Sequence, residues 1–151
     1  MLKKYRFNFS DFVLLKKLID PFFASTSEFR LIIDSDLLWF TAPTELETEL
    51  RRDVPRSLMM LNNGECPVFF KSPDRYPARL GQYNSGVVFY RRGNFNLKKL
   101  SEYLDSIDER HPQNAHFIEQ AGYAYCLENL AELPQSRYHI KGAVGPQTAV
   151  K

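Results

Sequence analysis

The sequence predicts an α/β fold, a mixed sheet flanked by helices, on two observations. Short apolar runs rich in β-branched or aromatic residues, Leu31-Ile32-Ile33 and Gly86-Val87-Val88-Phe89-Tyr90, are bounded by polar turn residues and read as buried strands. Around them apolar residues recur at helical spacing, in residues 8–21, 97–107 and 114–130. At 151 residues the chain has the length of a single domain, 1–151, with enough material to bury a core.

Taken in order, Phe9, Phe12, Val13, Leu15, Leu18 and Ile19 mark the first helix, with Asn8 or Ser10 as its N-cap and Pro21 as its stop. Ala24-Ser25-Thr26-Ser27 leads into the central strand, which meets Asp34-Ser35-Asp36 and then a second apolar run, Leu37-Leu38-Trp39-Phe40. Thr41 is the expected N-cap of a short helix opened by Pro43 and running to Arg52. Residues 57–61 and 66–70, joined by Asn62-Asn63-Gly64, read as a hairpin. A polar loop with Pro73, Pro77 and Gly81 precedes the strand at 86–90. Asn96 caps a helix with Leu97, Leu100, Tyr103, Leu104 and Ile107 on one face. Another helix starts near Asn114, carries Phe117, Ala121, Ala124, Tyr125, Leu127 and Leu130, and breaks at Leu133-Pro134. Residues 138–140 read as a short strand.

Composition narrows the function classes. Hydrophobic residues at 44% and charged residues at 25% are ordinary for a globular chain. A net charge of +2, from 20 basic and 18 acidic residues without large blocks, argues against a nucleic-acid protein built on a basic face. Eight Tyr and twelve Phe are more than a core alone usually needs, and suit a groove for ring-shaped ligands. Cys66 and Cys126 lack CxxC spacing, so the expectation is no zinc site or disulfide framework, and a cytoplasmic setting. No apolar run approaches the roughly 20 residues of a membrane span, so no transmembrane segment is expected.

The chemistry-bearing stretch is Asp34-Ser35-Asp36. Charges beside a buried strand are costly unless paired or bound to a metal, and the carboxyl ends of strands in open α/β sheets are where ligands bind. Spacing of two puts both carboxylates on one face if the strand continues, and lets both reach one cation if the chain turns. Hard cations such as Mg²⁺ or Mn²⁺ take oxygen ligands and share them with substrate phosphates, so a metal-diphosphate site is one reading. A solvated turn in which Asp34 caps the next segment is the other.

Three stretches, taken in order, resemble the second half of a GT-A-fold nucleotide-sugar glycosyltransferase, most closely the family 8 enzymes. Ile33-Asp34-Ser35-Asp36-Leu37-Leu38-Trp39-Phe40 with Pro43-Thr44-Glu45-Leu46 is similar to the DxD strand and its trailing helix. Tyr83-Asn84-Ser85-Gly86-Val87-Val88-Phe89 is similar to the strand beside the sugar, and Phe117-Ile118-Glu119-Gln120-Ala121 to a later helix start. Their order and spacing carry the resemblance over residues 29–140. It implies a GT-A-type, Rossmann-like mixed sheet and metal-dependent transfer of a sugar from a nucleotide-sugar donor, most simply a uridine diphosphate sugar. The acceptor would be a saccharide, a lipid or a protein. Asp36, and Asp34 directly or through water, would hold Mn²⁺ or Mg²⁺. Ser35, Ser85 and Gly86 would line the donor side, and Asn84, Glu119 and Gln120 would act on the sugar. A third metal ligand, a late His, would have to be His139.

In such enzymes a nucleotide-binding segment of several dozen residues precedes the DxD, whereas 33 residues precede Asp34, so the sequence reads as an incomplete GT-A domain. Missing sheet neighbours would leave an exposed strand edge that invites self-association. The alternative is a non-catalytic carbohydrate- or protein-binding remnant. A metal-dependent phosphohydrolase, with Asp34 as nucleophile, lacks a downstream Lys and Asp-Asp cluster.

Overall fold

The computed structural model describes residues 14–64, 66, 68–72, 76–108, 114–138 and 140. Among them are helices α1 (Leu14–Phe23), α2 (Thr44–Leu50), α3 (Leu97–Ser106) and α4 (Asn114–Cys126). The strands are β1 (Phe29–Ile33), β2 (Ser57–Leu61), β3 (Tyr83–Arg91) and β4 (Leu130–Glu132), with 3₁₀ turns Ala78–Gln82 and Arg92–Asn94 flanking β3. The strands form one four-stranded mixed sheet in the order β1-β3-β2-β4. β3 is antiparallel to β1 and β2, while β4 is parallel to β2. The carboxyl ends of β1, β2 and β4 therefore share one end of the sheet with the amino end of β3, where ligands collect in α/β folds.

Alternation along β3 divides the core. Val88 and Tyr90 pack with Leu15, Leu18 and Phe22 of α1, Leu100 and Tyr103 of α3, and Ile118 and Tyr123 of α4. Val87 and Phe89 pack on the opposite face with Leu46 of α2 and Leu133. At Gly122 three helices close in: a Cβ there would lie 2.4 Å from Leu18 Cδ2 and 2.9 Å from Tyr103 Cε1. Only a residue without a side chain fits.

Several sequence expectations are corrected. Pro21 does not stop the first helix but lies inside α1, which runs to Phe23. Proline lacks the N–H that would bond the Lys17 carbonyl four residues back, and the Tyr123 hydroxyl donates to that carbonyl instead. The proposed caps Asn8 and Ser10 lie outside the described residues. The central strand is an edge: β1 pairs only with β3 among the described residues, and Leu31 and Ile33 are 49% and 41% exposed. After Ile33 the chain turns, the Leu37 amide donating to the Asp34 carbonyl at 3.3 Å, and Leu38 and Phe40 are exposed.

α2 is capped at Pro43 rather than Thr41, without a side-chain cap. The hairpin is overturned: β2 pairs with β3 and β4, and Phe70 makes only an isolated bridge to Ile107. Among the described residues the last strand is Leu130–Glu132, placed there because α4 ends at Cys126 and Asn129 reverses the chain at φ 53°; the strand expected at 138–140 includes His139, which lies outside the described residues. Tyr138 instead follows a turn in which its amide and that of Arg137 donate to the Pro134 carbonyl. Asn96 caps α3 as expected, its side chain accepting from the Lys98 and Lys99 amides.

Candidate functional site

The polar residues at the carboxyl end of β1 owe their position to an irregularity in the sheet. β2 faces Val88 with Met59 but Asn84 with Met60, so residues 85–87 have no counterpart on that strand. The same residues stay with β1, where Ile33 opposes Val87 and the Asp34 amide donates to the Gly86 carbonyl at 2.9 Å. Such bulges re-aim side chains beside functional sites. The Asn84 side chain holds the distortion: its Oδ1 accepts from the Gly86 amide at 2.7 Å and its Nδ2 donates to Asn62 Oδ1 at 2.9 Å. Asn62 in turn donates to the Tyr83 carbonyl at 2.6 Å. A Cβ on Gly86 would fall 2.8 Å from Asn84 Oδ1 and 3.3 Å from Met60 Sδ, so the approach requires glycine.

Four elements converge on one ammonium. Lys17 of α1 donates to Asp34 Oδ1 at 2.5 Å, to the Ser85 carbonyl at 2.9 Å and Ser85 Oγ at 3.1 Å, and lies 3.5 Å from Glu119 Oε1. Ser85 Oγ also donates to Glu119 Oε1. Glu119 is buried, and its Oε2 accepts from the Gln120 amide at 2.8 Å. A carboxylate so enclosed is tolerated only because cation, hydroxyl and amide meet it together. Gln120 is 5% exposed and its Nε2 finds no partner among the described residues.

Asp34, Ser85, Gly86 and Glu119 are thus brought together, and Gln120 adjoins them through its backbone amide. Asn84 is adjacent, with both ends of its amide engaged in holding the turn rather than turned to a substrate. Ser35 and Asp36 sit in the exposed turn after Asp34. His139 lies outside the described residues. Lys17 and Asn62 escaped sequence reasoning, because a lysine beside an apolar helical stripe and an Asn before Gly64 have bland explanations.

A groove adjoins this cluster on the α2 side of the sheet. Residues 37–43 line it together with Met60, Val87, Arg137 and Tyr138. Arg137 ties its rim, donating to Thr44 Oγ1 at 2.7 Å, Glu45 Oε1 at 2.9 Å and the Ala42 carbonyl at 2.8 Å. Tyr138 donates to Glu45 Oε2 at 3.0 Å and meets Trp39 edge-on, ring centroids 6.2 Å apart. Burial and that bond push the Tyr138 phenol up to about 12, so it is a donor at neutral pH.

A divalent cation would have to be held here as an ion shared with a ligand's oxygens, not as one caged by protein. Among the described residues no three His, Cys, Asp or Glu side chains converge to hold a metal. Asp34 is 41% exposed beside exposed Asp36, and hard cations commonly take one or two carboxylates and complete their shell with phosphate and water. One ammonium, that of Lys17, faces both Asp34 and Glu119. No helix among the described residues is long and apolar enough to cross a membrane. No family model, no curated protein and no solved structure matches the chain.

Proposed function

We propose that this chain carries the sugar-transfer side of a GT-A-type glycosyltransferase domain, acting on a nucleotide-sugar donor with Mn²⁺ or Mg²⁺. One observation carries the reading: Asp34, Ser85-Gly86 and Glu119-Gln120, far apart in sequence, meet at the carboxyl end of β1. Asp34 and Asp36 would hold the cation, which when bound neutralises charge growing on the departing diphosphate. Gly86 lets the Asn84 amide and Met60 close against the backbone beside Asp34, which shapes the donor side. The unpartnered Gln120 amide would donate to a sugar hydroxyl, and Glu119 would accept from one once its contacts to Ser85 and Lys17 rearrange. The groove beside Trp39 and Tyr138 is open to an acceptor ring.

The ion pair of Lys17 with Asp34 favours a second reading, a carbohydrate-binding module without transfer activity, because an ammonium already neutralises the first carboxylate. Calorimetric titration of uridine diphosphate with and without Mn²⁺ separates the two. Under the transferase reading binding requires the metal and Asp36→Ala weakens it at least tenfold, about 1.4 kcal/mol. Free saccharide bound without either metal or nucleotide would instead identify the binding module.

A further inference from the structure

The end of the sheet away from the candidate site collects positive charge. Four connections meet there: residues 24–28 before β1, 51–56 before β2, 92–96 after β3 and 127–129 before β4. The Arg92 amide donates to the Glu28 carbonyl at 2.7 Å, the Glu128 amide to the Asn94 carbonyl at 2.7 Å and the Ser57 amide to the Asn129 carbonyl at 3.1 Å. The Asn94 side chain adds a bond to the Pro55 carbonyl at 2.9 Å. Arg51, Arg52 and Arg56 lie before β2, Arg91 and Arg92 close β3, and Lys98 and Lys99 open α3. The acids among them are Glu28 on Arg91, Glu128 on Lys99, the buried Glu49 shared by Arg52 and Arg56, and Asp53. Seven basic side chains against these four leave a surplus of three, more than the net +2 of the whole chain. Among the described residues Arg51, Arg92 and Lys98 have no carboxylate partner. Apolar side chains project from the same end. Val54 is 75% exposed, and Leu50 at the end of α2 and Leu97 at the start of α3 are exposed as well. Arg92 lies 4.9 Å over the Phe22 ring, which brings the exposed Phe23 at the end of α1 to the same place.

We propose that this end of the molecule is a docking surface for an anionic lipid bilayer. Its surplus cations attract the negative surface potential of such a membrane, with lipid phosphates as partners for Arg51, Arg92 and Lys98. Val54, Leu50, Leu97 and Phe23 enter the boundary between headgroups and acyl chains, as the apolar side of an interfacial helix does. That mixture favours a bilayer over a single-stranded nucleic acid, which is held by cations together with aromatic rings on which bases stack. Three of the four projecting apolar residues here are aliphatic. Docked in this way, the chain keeps the amino end of β3, and with it the candidate site, about 25 Å from the headgroups. The inference does not depend on the transferase reading, since none of these residues belongs to the candidate site.

The test is co-sedimentation of the full chain with vesicles of phosphatidylcholine alone and with vesicles in which roughly a third of the lipid is phosphatidylglycerol. Binding is expected on the anionic vesicles only, and is expected to fall as salt is raised. Arg51→Gln and Lys98→Gln, both exposed, should each weaken it about fivefold. Val54→Ser, which leaves the charge alone, should weaken it about fivefold as well. Arg79→Gln, in the turn before β3 and so at the other end of the sheet, removes one charge too and should bind as wild type does. No binding to anionic vesicles, equal binding to neutral ones, or a loss in Arg79→Gln equal to that in Arg51→Gln overturns the proposal. Vesicle binding unchanged in Val54→Ser also overturns it, because charge alone would then be at work. Tighter binding to a single-stranded RNA than to the vesicles, lost in Arg51→Gln, overturns it in favour of a nucleic acid.

Discussion

Two buried carboxylates, Glu119 and Glu49, sit behind the sheet ends with different consequences. Glu119 shares its charge with a hydroxyl and an ammonium at the candidate site. Glu49 in α2 is 1% exposed and is held by Arg56, whose Nε and Nη2 reach its Oε1 at 2.9 and 2.6 Å and whose amide reaches Oε2 at 2.8 Å, with Arg52 at 3.0 Å. Burial pushes the Glu49 carboxyl up, but the Arg56 bonds and the two guanidinium charges outweigh it and bring it below its ordinary 4.5. A folded-state value below the unfolded one gives stability that is full above the unfolded value and is lost as pH falls through the folded value. Urea midpoints should therefore drop for wild type in acid, below about pH 4.5. Glu49→Gln should cost about 1–3 kcal/mol at pH 7, and its deficit should shrink as the pH falls. A deficit that stays constant through the acid range would show that Glu49 acts by packing alone.

At the scale of elements, what was legible followed from local rules. Asn96 as the α3 cap, the strand at Val87–Tyr90, the start of α4 near Asn114 and the turn residues Asp34 to Asp36 all came from short-range pattern, whereas the expected α4 face did not hold, since Leu127 and Leu130 lie beyond its end. What failed depended on partners distant in sequence. Helix α1 passes Pro21 because Tyr123, 106 residues from Lys17, supplies the donor the proline removes. The assumed hairpin gave way because β3 and β4 offered β2 better neighbours than residues 66–70. Lys17 was missed for the same reason, since its acceptors come from three other elements. The Tyr123 bond is open to test, with Tyr123→Phe expected to cost about 1 kcal/mol by orphaning a partly buried carbonyl. Because that carbonyl belongs to Lys17, the substitution should also loosen the ammonium and alter cation affinity, whereas a proline substitution accommodated locally would leave the site untouched. Thermal unfolding and Mn²⁺ titration of the same variant read the two effects separately.

At the scale of the molecule, the sheet has one covered and one bare flank. Helices α1, α3 and α4 bury one face with the Tyr90, Tyr103 and Tyr123 cluster, and α2 with Leu133 covers part of the other. Among the described residues β1 ends the sheet, and on that second face Leu31 and Ile33, opposite Phe89 and Val87, are left about half-exposed, as are Leu38 and Phe40. A strand whose composition reads as interior, but which has a neighbour on one side only, offers unpaired backbone groups and apolar side chains to another strand. Among the described residues β1 is such an edge, and self-association through it is the outcome to be tested. Sedimentation velocity should reveal concentration-dependent self-association of the chain. Leu31→Lys, which places a charge on the outer strand without entering either core, should reduce that association while leaving the unfolding midpoint within about 0.5 kcal/mol of wild type. A substitution on the far flank, such as Gln135→Lys just after β4, is the control, since it raises the charge of the molecule by the same one unit but leaves the β1 edge free. If both lysines suppress association alike, the effect is one of net charge and the β1 edge has no special part in it. If only Leu31→Lys does so, the exposed strand is the surface through which a further strand is taken up, and the bare end of β1 brings that partner to within a few residues of Asp34.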